Sequence, residues 1–187
     1  MNYYISIFDN VLDSSMCINI IERFEKSHHK KRGVVGSGLD TKIKKTFDLH
    51  LSSYDEWKDI DTLLFKKINE YLKIYKTKFN IGDENYFPKK IKDTGYQIQK
   101  YTKNDGFYLW HTDDTYGYSR YQGTRVLAFI FYLNTIEEGG ETNLKFEKVK
   151  PIEGRLLFFP ALWTFPHKGE VPISDDKYII TGWIQCE

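Results

Sequence analysis

From Thr94 to the C-terminus the chain reads as one short strand after another, with no helical pattern between them. Tyr96–Tyr101 (YQIQKY), Arg125–Asn134 (RVLAFIFYLN), Gly154–Phe159 (GRLLFF) and Lys177–Gln185 (KYIITGWIQ) are dense in β-branched and aromatic residues. Gly139-Gly140 predicts a turn, and the run Glu141–Leu144 beyond it suits a hairpin edge. Many short strands without intervening helices predict an antiparallel sandwich or jelly roll. The aromatic content of 17%, with 14 Tyr and 13 Phe, favours the same answer, because such side chains suit a pleated, half-buried surface.

The first half has a different texture. After a short strand over Tyr3–Phe8, Asp13, Ser14 and Ser15 offer capping oxygens to a helix whose apolar positions are Cys17, Ile18, Ile21 and Phe24. A second helix is predicted from about Tyr54 to Tyr75, with the stripe Trp57, Ile60, Leu64, Ile68, Tyr71 and Tyr75. The chain thus divides into helical support and a variable loop (1–93) and a β-rich core (94–187), and 187 residues suit one α+β, mainly β, domain. Between the helices, the lysine-rich stretch Lys30–Lys45 holds Gly33, Gly36 and Gly38. It predicts a solvated, flexible loop, with a lid or substrate-contacting segment as the functional alternative.

Composition excludes several classes of function. Charged residues make up 28% and the net charge is +1, so no long-range field draws nucleic acid or a membrane surface. No apolar run reaches membrane-spanning length, and the start MNYYISIFDN lacks the basic and apolar regions of a signal peptide. The expected compartment is therefore cytoplasmic. Cys17 falls in an apolar helical pattern and reads as a buried free thiol; a disulfide to Cys186 stays open as an alternative.

The chemistry gathers at His111 and Asp113 in WHTDD and at His167 in FPHKGE. Two imidazoles and one carboxylate are the donor set that holds non-haem Fe(II) while leaving cis positions open. A single His-x-Asp is weak evidence, since a half-buried imidazole satisfied by a nearby carboxylate explains it equally well. Asp114 competes with Asp113, but alternation along a strand puts 111 and 113 on one face. On the last strand the same period puts Lys177, Ile179, Thr181 and Trp183 on one face, with Tyr178 and Ile180 on the other. A lysine among apolar neighbours needs an anion, either a structural Asp or Glu or the carboxylate of a ligand.

Taken in order, QIQKY, HTD, RVLAFIFYLN, GGET, GRLLFFP, HKGEV and KYIITGW make the stretch Tyr96–Gln185 resemble the Fe(II)- and 2-oxoglutarate-dependent dioxygenases, specifically the prolyl 4-hydroxylase-like branch. The resemblance implies a double-stranded β-helix, a jelly-roll core with the metal at its open end. It implies His111, Asp113 and His167 as catalytic metal ligands and Lys177 as partner of the distal carboxylate of 2-oxoglutarate. Thr181 and Tyr132 would support that carboxylate, and Tyr101 would bond near the metal-proximal end. Tyr108, Arg125 and Trp183 would face the substrate.

The implied cofactors are Fe(II), 2-oxoglutarate and O2, with ascorbate as reductant. The implied reaction hydroxylates proline in a peptide or protein and releases succinate and CO2. A free amino acid or other small molecule on the same scaffold is the alternative substrate. A non-catalytic jelly-roll binding module is disfavoured by the complete ligand set together with Lys177. Asp113 keeps the carboxylate ligand, so hydroxylation rather than halogenation is expected. The tyrosine-rich segment Tyr116–Tyr121, longer than the family's usual insert, is expected to wall the substrate groove or to pack over the barrel mouth.

Overall fold

In chain order the elements are β1 (Ser6–Phe8), α1 (Ser14–Lys26), β2 (Lys31–Arg32), β3 (Lys44–Lys45), β4 (Phe47–His50), α2 (Lys58–Lys78), β5 (Ile91–Asp93), β6 (Gln97–Tyr101), β7 (Phe107–His111), β8 (Thr124–Tyr132), β9 (Thr142–Leu144), β10 (Glu147–Val149), β11 (Leu156–Pro160), β12 (His167–Gly169) and β13 (Lys177–Cys186). The structure is a computed structural model and describes residues 4–82, 87–114 and 124–186. The expected groove wall Tyr116–Tyr121 lies outside the described residues.

Among the described residues the strands form two sheets and every pairing is antiparallel. The larger sheet runs β1-β11-β8-β13-β6-β4-β2, with β5 also paired to β13; the smaller runs β10-β9-β12-β7-β3. The jelly roll is thereby formed, with one sheet on the other.

The period of two sorts the large sheet's side chains into two cores. Phe129 and Phe131 of β8, Leu156 and Phe158 of β11, and Tyr178 and Ile180 of β13 face the helices. Ala128, Ile130, Tyr132, Leu157, Phe159 and Ile179 face the smaller sheet. On α1 the buried residues are Cys17, Ile20 and Phe24, while Ile18 is 53% exposed. Of the expected stripe, Cys17 and Phe24 are buried and Ile21 packs against the core, whereas Ile18 faces out and Ile20 takes a core position. Asp13 caps this helix, accepting from the Met16 N–H at 2.9 Å.

On α2 the core face is Ile60, Leu64, Ile68, Leu72 and Tyr75. Helix α2 starts later than expected, because residues 51–53 and 55–57 form 3₁₀ turns and Trp57 is buried in the second. Burying each of these large side chains contributes about 1.5–3 kcal/mol.

The stretch Lys30–Lys45 is not simply a solvated loop. Its ends are strands, β2 joining the large sheet and β3 the small one, and Lys44 is buried. Cys17 and Cys186 are free thiols, and burial pushes Cys17 up to about 12. No helix among the described residues is long and apolar enough to cross a membrane.

Candidate metal centre and co-substrate pocket

His111 closes β7 and His167 opens β12, and the two residues are direct cross-strand partners. The sheet's own hydrogen bonding therefore puts both imidazoles side by side, with ring centroids 4.2 Å apart. Each ring is turned the same way. His111 Nδ1 lies 2.8 Å from the Leu109 carbonyl oxygen, and His167 Nδ1 lies 3.2 Å from that of Phe165. With the Nδ1 proton donated to a carbonyl, each Nε2 keeps its lone pair for a metal.

Both Nε2 atoms face Asp113. His111 Nε2 is 3.7 Å from Oδ1 and His167 Nε2 is 3.5 Å from Oδ2. The three donor atoms all fall within 4.8 Å of one another. Cis ligands about 2.1 Å from a shared ion sit about 3 Å apart, so small side-chain shifts complete the site. Two neutral nitrogens and a carboxylate oxygen fit a divalent iron, leaving the remaining positions to other ligands. Asp113 lies beyond the end of β7, so the turn after the strand rather than alternation aims it at the histidines. Asp114 is not in the cluster.

The electrostatics agree with that role. Burial, followed by the neighbouring His167, lowers His111 to about 4 against the opposing pull of Asp113. Its imidazole is therefore neutral, as a ligand must be. Burial alone would raise the Asp113 carboxyl, but His167 and His111, to the extent that either ring is protonated, with the Trp183 indole and Arg125, outweigh it and hold it below its ordinary value. The Trp183 Nε1–H is buried without a well-formed hydrogen bond, so it acts on Asp113 as a dipole rather than as a bonded donor. Tyr108 stacks on His111 at 3.5 Å and 14°, and Phe159 meets His167 edge-on at 4.7 Å.

Lys177 begins β13 on the face turned to the smaller sheet. It is 0% exposed, donates from Nζ to the Gly140 carbonyl at 2.8 Å, and lies 4.0 Å from the centre of the Tyr101 ring. Burial pulls this amine down to about 7, opposed by Glu141 and Glu170. No carboxylate among the described residues comes within ion-pair distance of it. A buried cation left in that state calls for an external anion. Gly169 lets Tyr101 approach β12, since a Cβ there would stand 2.8 Å from the ring.

The other expected pocket residues divide. Tyr132 is buried on the same face, and its hydroxyl donates to Thr142 Oγ1 at 2.7 Å. Thr142 carried no signal beyond a hairpin edge, because its role depends on β9 facing β8 across the barrel. Thr181 is also buried, but its hydroxyl donates to the Phe129 carbonyl at 3.0 Å. In this arrangement it offers the pocket lone pairs and not a proton. Tyr101 Oη donates to Gln99 Oε1 at 3.2 Å, and Gln99 in turn donates to Gln97 at 2.6 Å.

At the mouth, Arg125 lies over the Trp183 ring at 3.6 Å and donates to the Asp113 backbone carbonyl at 3.3 Å. Tyr108, Arg125 and Trp183 thus surround the metal donors from three strands. Beside β12 runs an open groove of about 540 Å³ lined by Phe146, Trp163, Phe165 and Pro166, in which Trp163 is 74% exposed.

Residues 96–185 match the family model of the 2OG-Fe(II) oxygenase superfamily. No curated protein matches the chain. Among solved structures, a viral collagen prolyl hydroxylase of Paramecium bursaria Chlorella virus-1, in complex with 2-oxoglutarate, aligns with a TM-score of 0.70 at 21% identity, over 98% of this chain and 96% of that one. A Trichoplax adhaerens prolyl hydroxylase, in complex with a peptide fragment of the hypoxia-inducible factor oxygen degradation domain, aligns with a TM-score of 0.74 at 19% identity over 98% and 84%. A Pseudomonas putida prolyl 4-hydroxylase gives 0.65 at 16% over 98% and 93%. At these identities the likeness is one of fold.

Proposed function

We propose that this chain, whose residues 96–185 belong to the 2OG-Fe(II) oxygenase superfamily, hydroxylates proline within a peptide or protein. The observation that carries the reading is the convergence of His111, Asp113 and His167 in the same barrel interior that buries Lys177, with no carboxylate among the described residues in ion-pair range of it. Such a pair of sites fits a metal and a dianionic co-substrate.

When bound, Fe(II) with 2-oxoglutarate and O2 supplies oxidative decarboxylation to succinate and CO2 and the transfer of one oxygen atom into a C–H bond, with ascorbate as reductant. The protein's share is holding, orienting and drying. His111 and His167 hold the metal through Nε2, each ring fixed by its Nδ1 bond to a carbonyl. Asp113 contributes an anionic oxygen and so offsets one of the two metal charges. Lys177 holds the distal carboxylate of 2-oxoglutarate through a protonated Nζ, and the Tyr132–Thr142 pair supplies hydroxyls on the same wall. Tyr101 sets its ring against the Lys177 Nζ.

The substrate side favours a polypeptide. Tyr108 and Trp183 offer aromatic walls for a pyrrolidine ring, and Arg125 offers N–H donors to a peptide carbonyl. The fold neighbours named as prolyl hydroxylases lend the proline choice its prior.

The test is mass spectrometry of a panel of proline-containing peptides after incubation with iron, 2-oxoglutarate and ascorbate. A gain of one oxygen atom on proline, coupled to succinate release, is expected. Succinate release driven by a free amino acid or metabolite, with the peptides inert, would move the assignment to a small-molecule hydroxylase.

A further inference from the structure

The geometry points to the buried Lys44–Asp48 pair as a positioning device for the metal ligand His111, acting through Tyr108; the inference rests on the metal-site reading above. Lys44 is 4% exposed and Asp48 is 6% exposed, with Nζ and Oδ2 at 2.6 Å. Thr46 donates to the other carboxylate oxygen at 2.7 Å. Lys44 Nζ also lies 5.1 Å from the centre of the Tyr108 ring, within cation–π range. Tyr108 is stacked flat on His111. The order is therefore carboxylate, ammonium, phenol ring, imidazole, and then the metal donors.

The pair also sits where the two sheets meet. Lys44 belongs to β3 of the smaller sheet and is the cross-strand partner of Tyr108, whereas Asp48 belongs to β4 of the larger sheet. The chain passes from one sheet to the other through Thr46 alone. The ion pair pins that corner, and with it the strand carrying Tyr108 and His111.

Gly33 covers the pair from outside. A Cβ there would stand 2.1 Å from Thr46 Oγ1, 2.9 Å from Asp48 Oδ2 and 3.0 Å from Lys44 Cε. Its N–H is bonded to the Thr46 carbonyl at 3.0 Å.

A buried ion pair is poor evidence of added stability, because desolvating both charges offsets their attraction and apolar replacements are often neutral or stabilising. What such a pair does supply is a fixed direction, and here the direction is toward the ring behind a metal ligand. Partners outside the coordination sphere influence metal affinity in this way.

The experiment titrates Co(II), a spectroscopic stand-in for Fe(II), into the wild type and variants, following visible absorption alongside thermal melts. The double variant Lys44→Met/Asp48→Leu should keep its melting temperature while binding Co(II) roughly tenfold more weakly with an altered band shape. Gly33→Ala, which displaces the pair without removing a charge, should weaken binding in the same direction and serves if the double variant does not fold. Adding Lys44→Met to Tyr108→Ala should cause no further loss. Unchanged Co(II) affinity and spectrum in both the double variant and Gly33→Ala would overturn the inference, whatever happens to the melting temperature. So would a further tenfold loss from Lys44→Met in the Tyr108→Ala background. Failure of the wild type itself to bind Co(II) would instead remove the metal site, a separate and distinguishable result.

Discussion

His111 and His167 each give their Nδ1 proton to a backbone carbonyl, which leaves Asp113 to supply the negative charge of the donor set. Asp113→Ala should therefore abolish hydroxylation and weaken Co(II) binding by at least about 100-fold, the upper end of the range for losses outside the coordination sphere. Turnover surviving in that variant would mean the carboxylate ligand is another residue.

Lys177 titrates where it matters. Burial brings its folded value down to about 7, so the unliganded pocket loses its positive charge as pH rises through 7. A carboxylate bound at Nζ favours the protonated form and moves that value back up. Binding of 2-oxoglutarate should thus take up a proton above pH 7, and affinity should fall between pH 7 and 9. Calorimetry at pH 6.5 and 8.5 in two buffers measures both effects, and flat affinity across that range would refute the assignment. Lys177→Ala should raise the KM for 2-oxoglutarate by a factor equivalent to about 2–5 kcal/mol.

Much at this scale is legible in the chain itself. His111, Asp113 and His167 stand out as residue types, the family resemblance is what names them as ligands, and the strand period turns Lys177 inward. Asp113 and not Asp114 falls in the donor cluster, but the strand ends at His111, so the alternation argument does not supply the reason. Thr142 and the Lys44–Asp48 pair were invisible, since each gains its meaning from a partner on another strand.

At the scale of elements, helix α1 is held by Phe24, whose ring meets Tyr178 of β13 edge-on at 6.0 Å. Phe24→Ala removes a fully buried ring beside a strand that cannot move without moving Lys177. It should lower the unfolding free energy by about 3–5 kcal/mol in a denaturant titration, while the folded fraction still binds metal. A loss under 1 kcal/mol would show that α1 is only loosely docked.

The existence of both long helices and of the longer strands is written in periodicity, but which face is buried is not always. On α1 the apolar residues fit a stripe through Ile18 or one through Ile20, and only the position of the sheet chooses between them. Strands β2 and β3 have two residues each and β12 has three. Such lengths are too short for any period to register, and that is why Lys30–Lys45 reads as a loop from sequence alone.

The whole molecule is a barrel whose interior carries a cation deep inside and a three-donor cluster near one end. Ligands that bind only the folded state stabilise it by mass action. Co(II) and 2-oxoglutarate together, each at 100 times its dissociation constant, should add about 5 kcal/mol and raise the melting temperature of a domain this size by roughly 10–20 °C. Lys177→Ala should lose the 2-oxoglutarate part of that shift and keep the metal part. Loss of both parts together would mean that the two sites are not separable as drawn.

The cross-strand pairing of His111 with His167 also sets when a complete donor set can exist during synthesis. A growing chain on the ribosome holds no complete donor set until residue 167 has emerged and β12 has docked between β7 and β9. The complete donor set thus forms only once β12 has docked.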